Sequence, residues 1–221
     1  MGLGKLEITS PVVILGEGAG DRAFFQLLCD RRGIQNVQCI EAGGSGKFAE
    51  FLKNIRTITG FNRVCRTLIV VADNDDTPDA NFNDVRRALK NAKLPQPNAP
   101  LTRLTYTTDP LGVAAMMVPF DGTFLRQRGC LETIILEAVQ ASQPMIANCV
   151  PAFGTCVGAD TWTNGSHLAK FRLRAILAAF FSHDPNFSLQ YAVATDNLFS
   201  FTHQTFDPLV AFIRRMQSET P

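Results

Sequence analysis

"TLIVVADNDD", residues 67–76, opens with six apolar or β-branched residues and then breaks on acids. A run this short, apolar and β-branched predicts a strand buried on both faces, as in a parallel sheet between helices. Asp73 and Asp75 stand just past its end, one residue apart. If strand geometry continued, alternation would aim both carboxylates the same way. In open α/β sheets, ligand sites gather at the carboxyl ends of strands. The plainer alternative is an Asp-rich turn.

Working outward, "PVVILG" (11–16) is a second run of the same kind. It ends in Glu17, between Gly16 and Gly18, with Asp21 four residues on. A core strand has no packing use for that carboxylate. Ala23, Phe24, Leu27 and Leu28 then share one helical face, and Gly33 stops the helix. "NVQCIEA" (36–42) reads as a strand and "AGGSGK" (42–47) as a loop. Phe48, Phe51, Leu52, Ile55 and Ile58 follow at helical spacing. After the acids, Phe82, Val85, Ala88 and Leu89 mark another amphipathic helix, with Asp79 as its expected cap. Strand–helix alternation three times over implies right-handed crossovers and an α/β fold, a mainly parallel sheet flanked by helices. "LPQPNAP" (94–100) is a loop and "GVAAMMVP" (112–119) a fourth buried strand. The C-terminal half reads as helical over 130–140, 166–181 and 207–217, with one more strand at 189–195. The expectation is a single domain over 1–221, with a core at about 11–120 and an extension at about 121–221.

The chain has 221 residues, 46% of them hydrophobic, with 21 basic and 20 acidic side chains. That suffices for a substantial core. Near-neutral charge argues against a protein that coats nucleic acid or an anionic membrane, but leaves room for a local binding patch. The pairs Arg31-Arg32, Arg86-Arg87 and Arg214-Arg215 read as solvated helix faces. Six cysteines without a C-x-x-C pair argue against a zinc site and suggest buried thiols in a reducing cytosol. "MGLGKLEITS" shows no signal core or myristoylation pattern, and no apolar run reaches membrane-spanning length. The expectation is a cytoplasmic protein with no membrane partner.

Two nucleotide motifs fail on inspection. Gly16, Gly18 and Gly20 are spaced G-x-G-x-G, and the dinucleotide fingerprint would need glycine where Asp21 stands. In "EAGGSGKF", Glu41 occupies the first glycine position of a P-loop, and Phe48 the position of its magnesium-binding hydroxyl. His167, His183 and His203 form no recognisable triad or metal spacing. Grouped carboxylates raise one another's pKa, a cost that a magnesium ion would remove by taking hard oxygen ligands.

"VVILGEGAGDRAFFQLL", "AGGSGKFAEFL" and "TLIVVADNDD" together resemble the TOPRIM domain. That domain is shared by topoisomerases, bacterial primases and nucleases of the overcoming-lysogenization-defect family. Its motifs are a Glu ending the first strand, often followed by G-x-x-D, and a later D-x-D after a buried strand. They fall here on Glu17, Asp21, Asp73 and Asp75. "GCLETIILEAV" and "HLAKFRLRAILAAF" resemble the tail of a small group of stand-alone TOPRIM-like proteins, and the late Glu and Lys of the nucleases match Glu132 and Lys170. The resemblance implies Glu17, Asp21, Asp73, Asp75 and Glu132 as metal ligands for Mg2+ or Mn2+. It implies Glu17 and Lys170 as catalytic groups, and Lys47 of the failed P-loop stretch joins them as a further catalytic candidate that could meet the phosphate. The implied function is metal-dependent phosphoryl transfer, chiefly cleavage of a nucleic-acid phosphodiester. The rival is a non-catalytic TOPRIM-like binding module serving a partner in DNA maintenance or phage defence. The chain shows no topoisomerase tyrosine domain, zinc ribbon or Walker loop, so a partner protein such as an ATPase is implied. For Glu132 the alternative is a helix first turn, where the dipole favours an acid, and for Lys170 simple solvation.

Overall fold

A computed structural model describes residues 6–120, 127–195 and 197–220, with Ser45 described by its backbone alone. The expectation about the first ten residues falls partly on 1–5, outside the described residues.

Five strands form one sheet: β1 (Val12–Gly16), β2 (Val37–Glu41), β3 (Thr67–Asp73), β4 (Arg103–Tyr106) and β5 (Asp109–Val118). Their order is β2-β1-β3-β5-β4. All neighbours are parallel except β4, which runs antiparallel along β5. The expected mainly parallel α/β fold is the observed one.

Strand alternation sorts the core into two layers. Val13, Leu15, Leu68, Val70, Val113, Ala115 and Met117 face one side. There they meet α2 (Phe48–Asn54), α3 (Phe61–Val64) and α4 (Pro78–Asn91). Val12, Ile14, Ile69, Val71, Ala114 and Met116 face the other. That side is covered by α1 (Ala19–Arg31), α5 (Leu131–Ser142), α6 (Pro144–Cys156), α7 (Gly165–Phe180), α8 (Leu189–Ala192) and α9 (Asp207–Ser218). Strands buried on both faces must be apolar at every position, which is why β1 and β3 stand out in the sequence.

The end of the chain returns to its beginning. Phe201 and Phe206 pack on Phe24 of α1, with ring centroids 5.6 and 5.4 Å away. Arg32, just past α1, donates to the Phe201 carbonyl at 2.8 Å and to Asp207 at 2.6 Å. Arg214 in turn donates to the Arg32 carbonyl at 3.0 Å. Arg32 and Arg214 are therefore tertiary ties, not solvated faces as expected. Arg86 and Arg215 likewise lie over the rings of Phe82 and Phe212.

Three further expectations are corrected. Residues 189–195 begin with α8, whose end buries Ala192 and Val193 beside α1, rather than forming a strand. The cap position of α4 is Thr77, with Asp79 inside the first turn. Cys149 and Cys156 on α6 are exposed, while Cys29, Cys39, Cys65 and Cys130 are buried.

Candidate metal and phosphate site

The turn after β3 assembles the site. Asn74 is buried; its backbone N–H donates to the Val118 carbonyl at 2.7 Å and its side-chain amide to the Pro119 carbonyl at 2.8 Å. The first is the last ladder bond of the β3–β5 pairing and the second holds the Asn74 side chain to the chain just past β5; strand geometry ends at Asp73. Asp75 adopts a left-handed φ of 46° and exchanges two backbone hydrogen bonds with Gly129, at 2.6 and 2.9 Å. Gly129 has a φ of 128°, and a Cβ there would lie 2.7 Å from Thr133 Oγ1. Only glycine fits this crossing.

The crossing sets the start of α5 beside the end of β3. Asp73 Oδ1 accepts the backbone N–H of Leu131 at 3.0 Å, and Oδ2 accepts Lys170 Nζ at 3.1 Å. Oxygens of Asp73 and Glu132 and the sulfur of Cys130 lie within 4.8 Å of one another. Asp76 Oδ1 accepts the N–H of Gly165 at 3.2 Å, fixing the N-terminus of the helix that carries Lys170. Glu132 sits in the first turn of α5, so the favourable dipole position and proximity to Asp73 coexist.

Glu17 and Asp21 complete the acidic rim from the end of β1. Asp21 Oδ2 accepts the Gly18 N–H at 2.9 Å, closing the first turn of α1. A Cβ on Gly16 would sit 2.5 Å from the Asp21 Cβ, so the strand must end in glycine for the carboxylate to fold back. Burial pushes the Glu17 carboxyl above its ordinary range, and Asp21, Asp75 and Glu132 push the same way, while Lys170 opposes them. Burial also raises Asp21, opposed by the Gly18 N–H. Asp73 is raised to about 7, chiefly by burial and against the pull of Lys170. Lys170 is held above the ordinary lysine range: burial works against its charge, but Asp73 and Glu132 more than offset it. The Cys130 thiol is pushed up to about 12 by burial and by Glu132 and Asp73.

Asp73, Glu132 and Lys170 thus meet directly, and Glu17, Asp21 and Asp75 lie within their electrostatic reach. Lys47 stands apart. It closes a short 3-10 turn (Ser45–Lys47) and lines a cavity between α1, β2 and α2. Sequence reading did not anticipate Cys130 or Asp76. Cys130 carried no metal spacing, and Asp76 looked like one more turn acid.

The residues fit a hard divalent cation. Carboxylate oxygens from β3 and α5 converge, and their mutual repulsion with burial is the strain that such an ion relieves. Cys130, held as a neutral thiol, adds no charge.

An α/β sheet with carboxylates gathered at its strand ends around one lysine defines the class of architecture. More particularly, the chain belongs to the family described as a protein of unknown function, DUF3226, whose model matches residues 11–218. No curated protein matches the chain. Among solved structures it is similar to the C-terminal region of the Xanthomonas campestris pv. campestris OLD protein. That match has 15% identity and a TM-score of 0.42, covering 96% of this chain and 98% of the other. The C-terminal region of the Burkholderia pseudomallei OLD protein matches at 14% identity and a TM-score of 0.38, covering 95% and 100%. Both likenesses are loose and carry no inference about chemistry.

Proposed function

We propose that this chain is a TOPRIM-like protein performing Mg2+- or Mn2+-dependent phosphoryl transfer on a nucleic-acid phosphodiester. The observation that carries the reading is Lys170, 3.1 Å from Asp73 and set among Glu132, Glu17 and Asp21 at the carboxyl ends of the parallel strands. A fixed cation ringed by hard-oxygen donors suits a phosphate bound together with a divalent ion. Asp73, Asp75 and Glu132 would hold the ion, with Glu17 and Asp21 at its rim. When bound, the ion supplies an activated water and charge neutralisation at phosphorus. Glu17, raised by burial, holds a proton more readily than an ordinary carboxylate, which suits a general acid/base role. Lys170, kept charged by its acidic neighbours, orients a phosphate oxygen. A nucleic-acid substrate, a partner such as an ATPase, and a cytoplasmic setting belong to the same proposal. Among the described residues no helix is long and apolar enough to cross a membrane.

One observation favours the rival, a binding module without turnover: both Asp73 oxygens already have partners, Leu131 and Lys170. Cleavage of single- and double-stranded DNA and RNA with Mg2+ or Mn2+ separates the two. The expected result is nicking or degradation at low salt, reduced at least about a hundredfold in Asp75→Asn and in Lys170→Ala. A contaminating nuclease would ignore both substitutions. Metal binding without cleavage, alone or with an ATPase partner, would leave the binding module as the reading.

A further inference from the structure

Beside the acidic rim lies a cavity of about 660 Å3 between α1, β2 and α2. This is within the usual range of small-molecule sites. Its walls are chemically divided. Lys47 and Arg22 supply positive charge, Glu41 and Glu50 supply acceptors, and Ile40 and Phe51 supply an apolar surface. Lys47 has no acidic partner among the described residues. Arg22 meets Glu41 through Nε at 3.2 Å, which leaves its two terminal nitrogens for an anion.

The cavity joins the rim through the backbone. Gly16 and Glu41 are register partners on adjacent parallel strands, which places Glu41 about 5 Å, one strand spacing, from the residue before Glu17. The Gly44 N–H donates to the Glu17 carbonyl at 2.7 Å, and the Lys47 N–H to the Gly44 carbonyl at 2.9 Å. The loop that carries Lys47 is therefore fastened to the residue that borders the carboxylates. Gly44, at a φ of 117°, has nothing within 4 Å of where a Cβ would stand. At Gly44, between rim and cavity, no side chain stands over the backbone.

We infer that this cavity binds the nucleotide adjoining the phosphate held at the carboxylates. Lys47 and Arg22 meet that nucleotide's own phosphate. Its base lies on the Ile40 and Phe51 wall, with Glu50 accepting from base amino groups. The inference rests on the phosphodiester reading above. It gives Lys47 a binding role one nucleotide away from the reaction rather than a catalytic one.

The test uses the full chain in EDTA, with the four ribonucleoside and four deoxyribonucleoside monophosphates as probes. Binding is followed by saturation-transfer NMR and calorimetry. At least one monophosphate should bind without metal. Lys47→Glu should weaken it about tenfold or more by reversing the charge, while Lys47→Arg should retain it. Inorganic phosphate should bind more weakly than the monophosphate, because it lacks the base. Lys47 is exposed, and an unchanged melting temperature in both variants would show the fold intact. Failure of every monophosphate to bind, binding unmoved by Lys47→Glu, or phosphate binding as tightly as the nucleotide would overturn the inference. The cleavage assay judges the parent reading separately. Lys47-dependent binding without cleavage would sink the parent reading and with it the adjoining-nucleotide assignment, leaving a nucleotide site only, whereas cleavage without such binding would sink the cavity assignment alone.

Discussion

Asp73 shows at the scale of one residue how local needs and chemistry share a side chain. It accepts a bond that fixes the start of α5 and another from Lys170, while burial raises its carboxyl to about 7. The sign of the consequence follows from linkage. An acid whose folded pKa is raised contributes stability that is present below its unfolded value and lost as pH rises through the folded one. Glu17 and Asp21 shift the same way. Lys170 does not change its charge between pH 5 and 8, so it adds nothing to the difference. The metal-free protein should therefore be more stable at pH 5 than at pH 8, by about 1–3 kcal/mol. Calorimetry in EDTA should show the drop, smaller in Asp73→Asn and diminished by Mn2+ in the wild type. Equal stability at both pH values would contradict the burial of these acids. Gly16 offers a second test at this scale. Gly16→Ala would drive a Cβ into Asp21 and should cost about 1–3 kcal/mol, with loss of metal-induced stabilisation. Unchanged thermal melts, with and without Mn2+, would refute the close approach.

At the scale of elements, the capping of α7 decides where Lys170 points. Asn164 Oδ1 accepts the His167 N–H at 2.8 Å, and Asp76 accepts that of Gly165. Asn164→Ala should cost about 1 kcal/mol in urea unfolding. Asp76→Ala should cost a similar amount and also weaken metal-dependent stabilisation, because Asp76 ties α7 to the turn after β3. Equal metal responses in the two variants would separate Asp76 from the site. Element by element, legibility in the sequence followed burial. β1 and β3 were readable because both faces are buried and every position is apolar. β4 was missed because "RLTY" is a half-exposed edge with no apolar run. α6 was missed because "PMIANCVPAFGTC" has no charged face to give it a period, and Pro151 lies within it. Residues 189–195 alternate in an apolar pattern, yet the fold uses them as a short helical cover over α1. The acids of the site were legible as types and positions. The backbone crossing of Asp75 with Gly129, which brings Cys130 and Glu132 to Asp73, joins residues 54 apart and leaves no local pattern.

For the whole molecule, the layer containing α1 also contains side chains from α5, α7 and α9. A division at about residue 120 therefore cuts through a shared core. We expect one cooperative unfolding transition, with coincident circular dichroism and tryptophan fluorescence, Trp162 reporting from the C-terminal half. Phe206→Ala should cost about 3–5 kcal/mol, since the ring is buried against α1. Two separated transitions, or a folded fragment ending near residue 120, would show that the halves are independent.

The tie between Arg32 and Asp207 spans 175 positions. During synthesis at about 5–20 residues per second, the outer face of α1 would emerge roughly 9 to 35 seconds before the segment that covers it. Phe24, Phe25 and Leu28 are fully buried only in the finished protein. The nascent chain therefore carries an uncovered aromatic surface through most of its translation. How long that surface stays open is set by the order in which the parts of the chain leave the exit tunnel.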